Sequence, residues 1–275
     1  MVQTKRYKIW SFLIELIFLC IAAIYIVPIW MVLVNSFKSQ NEANLFRLTW
    51  PAEMIWDNYQ IVMKEANILL GLFNGLYIGG VVVLVTLLFA SLAAFYLARS
   101  QTRLSNYLYT LFVAGLIIPI AILPTYFLFL LLGLNKTYLG LIAIFATYSL
   151  PLSIFLFTSF IKTIPVSLDE AATIDGCGPT RVFAYAIFPL LKPVGMTTAV
   201  FTFLLVWNES GIYLYFANSQ KWPLTMGIYE FFGKYNQSWN LAFADIILGI
   251  IPCLLIFIIG QRFIVTGLTA GAVKG

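Results

Sequence analysis

The chain has 275 residues, of which 61% are hydrophobic and only 10% charged. A water-soluble domain is nearer half apolar and a quarter charged, so the composition excludes an ordinary soluble enzyme or binding module and indicates an integral membrane protein. The formal net charge of +5 then reads as an orientation bias and not as a footprint for nucleic acid.

In chain order, Lys5, Arg6 and Lys8 precede the first apolar run. That run is about 25 residues long and has no clear small-residue cleavage site, so it predicts a retained first span and not a signal peptide. Six runs meet the requirement of about 20 predominantly apolar residues: 10–35, 75–98, 107–132, 138–161, 194–216 and 242–265. The expectation is an all-α chain, one transmembrane domain over 1–275 with six spans and a tail at 266–275. With the N-terminus placed inside, ten Lys and Arg fall on the inner side and six on the outer, out of 16. This bias puts both termini in the cytoplasm.

The outer segment 36–74 is too polar to span, and "NYQIVMKEA" within it predicts a short interfacial helix. Gly71, Gly75 and Gly79 recur every four residues around the start of the second span. Such a stripe allows a neighbouring helix to approach closely, although glycine is frequent in spans generally.

The segment 162–193, between spans four and five, is far longer than a connection needs, and from Ser167 it reads "SLDEAATIDGCGPTRVFAYAIFPLLKP". Ser167 and Glu170 have the spacing of a capping box. About two helical turns follow until Gly176 and Gly178 stop them. Pro179 suits the first position of a second helix, and Pro189 and Pro193 are expected to break that helix before span five. The product is an elbow of two short helices, on which Ala171 and Ala172 form a smooth ridge for a partner.

"EAATIDG", followed nine residues later by "AIFP", resembles the EAA motif of the permease subunits of ABC transporters. Glu170, Ala171, Ala172, Gly176 and Pro189 match that pattern. Ala186 stands where it usually has Ile or Val, and Phe188 where it usually has Leu. "NSFKSQNEAN", "WDNY", "VWNES" and the ending "QRFIVTGLTAGAVKG" extend the resemblance over nearly the whole chain, to the MalG-like carbohydrate-uptake branch. The resemblance implies that the elbow, with Ser167, Glu170, Ala171, Ala172, Asp175, Gly176 and Pro189, is a coupling helix entering a cleft on a separate ATPase. It implies that the tail, with Gly267, Thr269, Gly271 and Lys274, reaches the seam between two ATPase subunits. The implied assembly adds a second homologous permease and an extracytoplasmic solute-binding protein, in a bacterial or archaeal cytoplasmic membrane. ATP and Mg would be bound by the ATPases, and a sugar would be the cargo.

No enzymatic constellation accompanies this pattern. Histidine is absent, which removes a Ser-His-Asp triad, a Cys-His pair and H-E-x-x-H. Cys20, Cys177 and Cys253 lie far apart, with neither disulfide nor zinc spacing, and read as small hydrophobes. "GLTAGAVKG" is no phosphate loop, because Ala272 and Gly275 stand where that motif needs Gly and Ser or Thr. Polar groups within spans cost about 2.5–3.5 kcal/mol for Asp at a helix centre and usually face a pathway or partner. Asn208 and Glu209 are the first candidates to line a route, with Tyr213 and Asp245 next; alternatively Glu209 and Asp245 simply reach water near the outer ends. An ion-driven secondary carrier is the rival reading, but it predicts internal repeats and leaves the elbow unexplained.

Overall fold

The computed structural model describes the backbone of residues 5–231 and 238–272, and side chains for 10–231 and 238–261. Every regular element among the described residues is helical. Lipid offers no partner to a backbone N–H or C=O, so a crossing segment must pair its own. The α-helices are α1 (Lys5–Asn35), α2 (Gln40–Ala43), α3 (Asp57–Glu65), α4 (Ile68–Arg99), α5 (Arg103–Ala114), α6 (Ile122–Leu131), α7 (Tyr138–Ile161), α8 (Ser167–Ile174), α9 (Pro179–Arg181), α10 (Lys192–Asn208), α11 (Ser210–Phe216), α12 (Ile228–Phe231) and α13 (Trp239–Ala272).

Five helices among these residues are long and apolar enough to cross a membrane: Trp10–Asn35, Ile68–Arg99, Tyr138–Ile161, Pro179–Asn208 and Trp239–Gln261. The expected fourth span coincides with α7, whose start is fixed by Thr137 accepting from the Gly140 amide. The interfacial helix expected at "NYQIVMKEA" is α3. The run 107–132 is instead divided, α5 ending at Ala114 and α6 resuming at Ile122. Pro119 lacks an N–H and disfavours helical backbone at Ile118, which opens the run between the two.

The expected break at Pro189 and Pro193 does not occur. From α9 the chain passes through a wide π turn (Val182–Ile187) and a tight 3-10 turn (Phe188–Leu191) into α10. Changing the helical pitch carries the rod past two residues that cannot donate. α13 continues to Ala272, so the backbone at 266–272 extends the last helix. The side chains of Gly267, Thr269 and Gly271, and Lys274 altogether, lie outside the described residues.

The chain forms two compact units, Met1–Ile68 with Gly227–Ile250, and Leu69–Met226 with Ile251–Gly275. In the first, two of the sequence's polar tetrads meet. Asn58 of "WDNY" donates to the carbonyls of Ser36 (2.8 Å) and Lys38 (2.9 Å) of "NSFK", and its own carbonyl accepts from Asn240 at 2.8 Å. Ser36 and Tyr59 share a 2.7 Å hydrogen bond, and Lys38 donates to Asn35 and to the Arg47 carbonyl. Burial pushes the Lys38 ammonium below, and the Tyr59 phenol above, their ordinary ranges. Near the end of α1, Trp30 donates to the Leu48 carbonyl at 3.1 Å, and its ring lies 5.6 Å from that of Trp50.

In the second unit the glycine stripe of α4 does what its spacing suggests. A methyl added at Gly71 would meet the Leu224 backbone at 3.0 Å, at Gly75 the Trp207 ring at 2.6 Å, and at Gly79 the Phe203 ring at 2.8 Å. Phe203 and Trp207 stack on α10 with centroids 5.5 Å apart. Asn74, fully buried beside this contact, donates to the carbonyls of Gln220 and Trp222 and accepts from the Tyr138 hydroxyl. One apolar cluster, with Ile78, Val82, Phe145, Val206, Tyr213 and Phe216, lies at this end. A second, with Ala94, Leu97, Phe157, Ile161, Val182, Phe183 and Ile187, lies where α4, α7 and the elbow converge.

Overpacking a tight contact costs about 1–3 kcal/mol. Gly75→Ala is therefore expected to lower the thermal midpoint of the purified protein, followed by fluorescence-detected size exclusion. Gly80→Ala, where an added methyl meets nothing within 4 Å, is expected to leave it unchanged or raise it, since alanine is the better helix former.

Candidate functional site

Two places gather the polar residues picked out above: the elbow, and the break between α10 and α11. In the elbow the capping box does not form. Val166 already has helical backbone (φ −63°, ψ −26°) and takes the cap position, while its carbonyl accepts from the Glu170 amide. Ser167 thus lies inside the first turn, whereas a side-chain cap needs an extended residue.

The end of α8 is as expected. Gly176 adopts φ +85°; its amide donates to the Thr173 carbonyl and that of Cys177 to the Ala172 carbonyl. This is a Schellman turn, with glycine in the left-handed conformation that side chains resist. A methyl at Gly176 would meet no atom within 4 Å, so the glycine serves the backbone angle.

Only Asp169 and Ala172, one turn apart, are drawn inward on α8. Ala172 packs against the second apolar cluster, so it is not part of the free ridge the sequence suggested. Ser167, Glu170, Ala171 and Asp175 are exposed, as is Pro189 in the 3-10 turn. The outward face is also apolar: Ile174 is 86% exposed and Leu168 43%. Neither side chain is covered by another part of the chain.

The contact that holds α8 was not singled out from the sequence. Arg99, the last residue of α4, donates from Nε to Asp169 Oδ2 at 2.6 Å and from Nη2 to Oδ1 at 3.2 Å. The same guanidinium donates to the carbonyls of Ile161 (3.3 Å) and Ile164 (3.2 Å), at the end of α7. One planar fork thus ties α4, α7 and α8 together, satisfying carbonyls that a helix end leaves unpaired. Both side chains are largely shielded, 15% and 16% exposed. A cation ending one helix, followed some 70 residues on by an acid in the first turn of another, is too distant a relation for spacing rules to register.

At the second place, Asn208 ends α10 exposed, donating to the Leu204 carbonyl at 2.8 Å. Glu209 is extended (φ −78°, ψ 107°) and interrupts the expected fifth span. Its Oε1 accepts from the amides of Gly211 (2.9 Å) and Ile212 (3.4 Å), capping α11. Glu209 is therefore a helix cap at a break as well as a candidate for the route. Tyr213 is fully buried against Phe145, ring centroids 5.0 Å apart. Asp245 lies in the other unit, only 1% exposed, with Oδ1 making no hydrogen bond. It does not reach water, contrary to one of the two readings open from the sequence, and its carboxylate lies against Gly227.

The profile of the binding-protein-dependent transport system inner membrane components matches residues 86–269, from mid-α4 through the elbow into α13. The chain belongs to this family. It is 31% identical to the melibiose/raffinose/stachyose import permease protein MelC of Bacillus subtilis, over 99% of both chains. It is 33% identical to the multiple sugar-binding transport system permease protein MsmG of Streptococcus mutans, over 90% of this chain and 92% of that one. The fold is also that of a chain in the crystal structure of a bacterial ABC transporter importing the acidic polysaccharide alginate. That likeness has a TM-score of 0.82 at 17% identity and covers 95% of this chain and 99% of the other. As a member of this inner-membrane family with several apolar helices, the protein is a multi-pass membrane protein and a transport component.

The cap and the charge of Glu209 are separable. Glu209→Ala removes the acceptor for two amides and is expected to lower stability by about 0.5–2 kcal/mol, as loss of a helix cap does. Glu209→Gln keeps an acceptor oxygen and is expected to melt within a degree or two of wild type, read by the thermal shift of the detergent-purified protein.

Proposed function

We propose that this chain is a permease subunit of an ATP-driven sugar importer, forming half of the translocation pathway and receiving its drive through α8. The observation that carries this reading is the elbow: an exposed face of Ser167, Glu170, Ala171 and Ile174, held from behind by Asp169 and Ala172. A short helix bolted down on one side and bare on the other suits a partner that pushes on it. The sugar substrates named for MelC and MsmG support a sugar as cargo.

In this reading the other half of the pathway is a second homologous permease. Two ATPase subunits bind ATP and Mg on the cytoplasmic side, and an extracytoplasmic solute-binding protein delivers the sugar. Closure of the ATPases on ATP would draw the elbows together and turn the pathway outward; hydrolysis would reset it inward. Asn208 and Glu209 would line the route at the break between α10 and α11, where non-helical backbone is tolerated only beside protein or a cavity. The pair α5 and α6 would together make the sixth crossing, and both termini would face the cytoplasm, consistent with the ten-to-six distribution of Lys and Arg. The tail, with Gly267, Thr269, Gly271 and Lys274, would reach the seam between the ATPases. An ion-driven carrier has no use for such an elbow, and family membership favours the importer.

Two experiments test this. In a background with the native cysteines replaced, Ser219→Cys should react with an impermeant maleimide on intact cells, and Ser167→Cys only after permeabilisation. The reverse pattern overturns the orientation and the coupling role together.

Side-chain size on the two faces of α8 makes the second test. Ala171→Leu, on the bare face, should insert and fold normally yet lose the ATPase on purification and lose uptake. Ala172→Leu, against the chain's own core, should cost about 1–3 kcal/mol of stability through overpacking. Gly176→Asp should also abolish uptake, because a side chain at φ +85° carries a left-handed penalty of about 1–2 kcal/mol and shifts the turn that ends α8. Normal uptake in both Ala171→Leu and Gly176→Asp would end the coupling reading.

A further inference from the structure

The elbow is attached to the membrane helices by contacts of two kinds: an apolar cluster in which Ala172, Val182, Phe183 and Ile187 meet Leu97, Phe157 and Ile161, and one ion pair. Apolar packing through Ala172 and the π turn can slide. The Arg99 fork cannot: it makes two bonds to Asp169 and one each to the Ile161 and Ile164 carbonyls. This is the one ion pair among the described residues. Its geometry is directional, and rotating α8 by part of a turn would break both carboxylate bonds at once.

What Arg99 terminates is equally distinctive. α4 has 32 residues and no interior proline. α1, α7 and α13 each contain one, Pro28, Pro151 and Pro252, and the rod from α9 into α10 carries two. Helices bend at proline, so α4 is the one long helix among these without such a bend, a continuous strut about 48 Å long at 1.5 Å per residue. Its far end is seated as firmly as its near end. Gly75 and Gly79 lie against Trp207 and Phe203, directly before Asn208 and the capped break at Glu209. Asn74 holds the 220–222 strand of loop on the same side.

We infer that Arg99 is a positioning residue for transport: through Asp169 it latches α8 to α4, so that a displacement of the elbow is delivered as a rigid movement of α4 to the Phe203–Glu209 end of α10. The inference rests on the reading of α8 as the ATPase-docking helix. It adds which contact carries the movement, and along which helix. Apolar packing keeps the elbow folded; the fork keeps it in step with α4.

The test uses the whole assembled transporter, purified with its ATPase. Spin labels are placed at Thr173→Cys, on α8 but off the bare face, and at Leu69→Cys at the opposite end of α4, both exposed. Distances are measured by pulsed electron paramagnetic resonance without nucleotide and after trapping with ATP, Mg and vanadate. With the latch intact, each state should give one narrow distance peak. Asp169→Asn, nearly isosteric, should keep the ATPase bound but lose the narrow peak, and so should Arg99→Gln. Because both act on one contact, the double variant should be no broader than either single one, whereas independent contributions would add.

Narrow peaks in both single variants, with the ATPase still bound, would overturn the latch and leave the coupling reading standing. Failure of the ATPase to accompany the wild-type chain would overturn the coupling reading, and the latch's role with it. If both variants fell apart while Arg99→Lys, which keeps the charge, assembled and gave a narrow peak despite losing the fork, the pair would be a static brace and the inference would fail.

Discussion

The constraint on which the rest of this structure depends is that hydrocarbon gives the backbone no hydrogen-bond partner. Each unpaired amide or carbonyl in that medium costs several kcal/mol. The protein meets this by making nearly everything helical, which in turn makes every departure from helix informative. There are three notable departures: the opening between α5 and α6, the π and 3-10 turns beneath the elbow, and the extended residue Glu209. The break at Glu209 borrows a carboxylate, and the end of α7 beside the elbow borrows a guanidinium.

Packing follows a second logic. Lipid is as apolar as leucine, so helices gain by close approach more than by hiding hydrophobic surface. α4 shows this plainly. Its glycines admit two aromatic rings to near backbone distance, and a single buried asparagine completes the contact with three hydrogen bonds. The same helix ends in Arg99. A continuous, proline-free rod thus runs from the contact beside the Glu209 break to the elbow.

Much of this was legible in the sequence, for identifiable reasons. α7 and the glycine turn after α8 were placed correctly because composition and backbone preference act locally there. The glycine stripe pointed to a close contact because i, i+4 spacing marks one face. The sequence could not tell that Ala172 faces inward and Ala171 outward, since both are small and the sense of the face is set by Asp169 pairing with a residue 70 positions earlier. The capping box failed because Pro165 and Val166 start the turn sooner than the side-chain pattern implies. The prolines at 189 and 193 misled in the opposite direction: a change of pitch absorbed what looked like a break. The "NSFK" and "WDNY" tetrads carried the family likeness without revealing that they bond to one another through Asn58.

The aromatic clasp at the end of α1 sets a length. Trp10 and Trp30 are both exposed on that helix, and twenty residues of rise separate them by about 30 Å, the thickness of a bilayer's hydrocarbon core. Indole rings favour the boundary between acyl chains and headgroups. Because Trp30 also holds the Leu48 carbonyl and stacks near Trp50, the loop that follows α1 is tethered to that boundary. Where the end of α1 settles at that boundary therefore also settles the start of the loop, because Trp30 carries Leu48 and Trp50 with it.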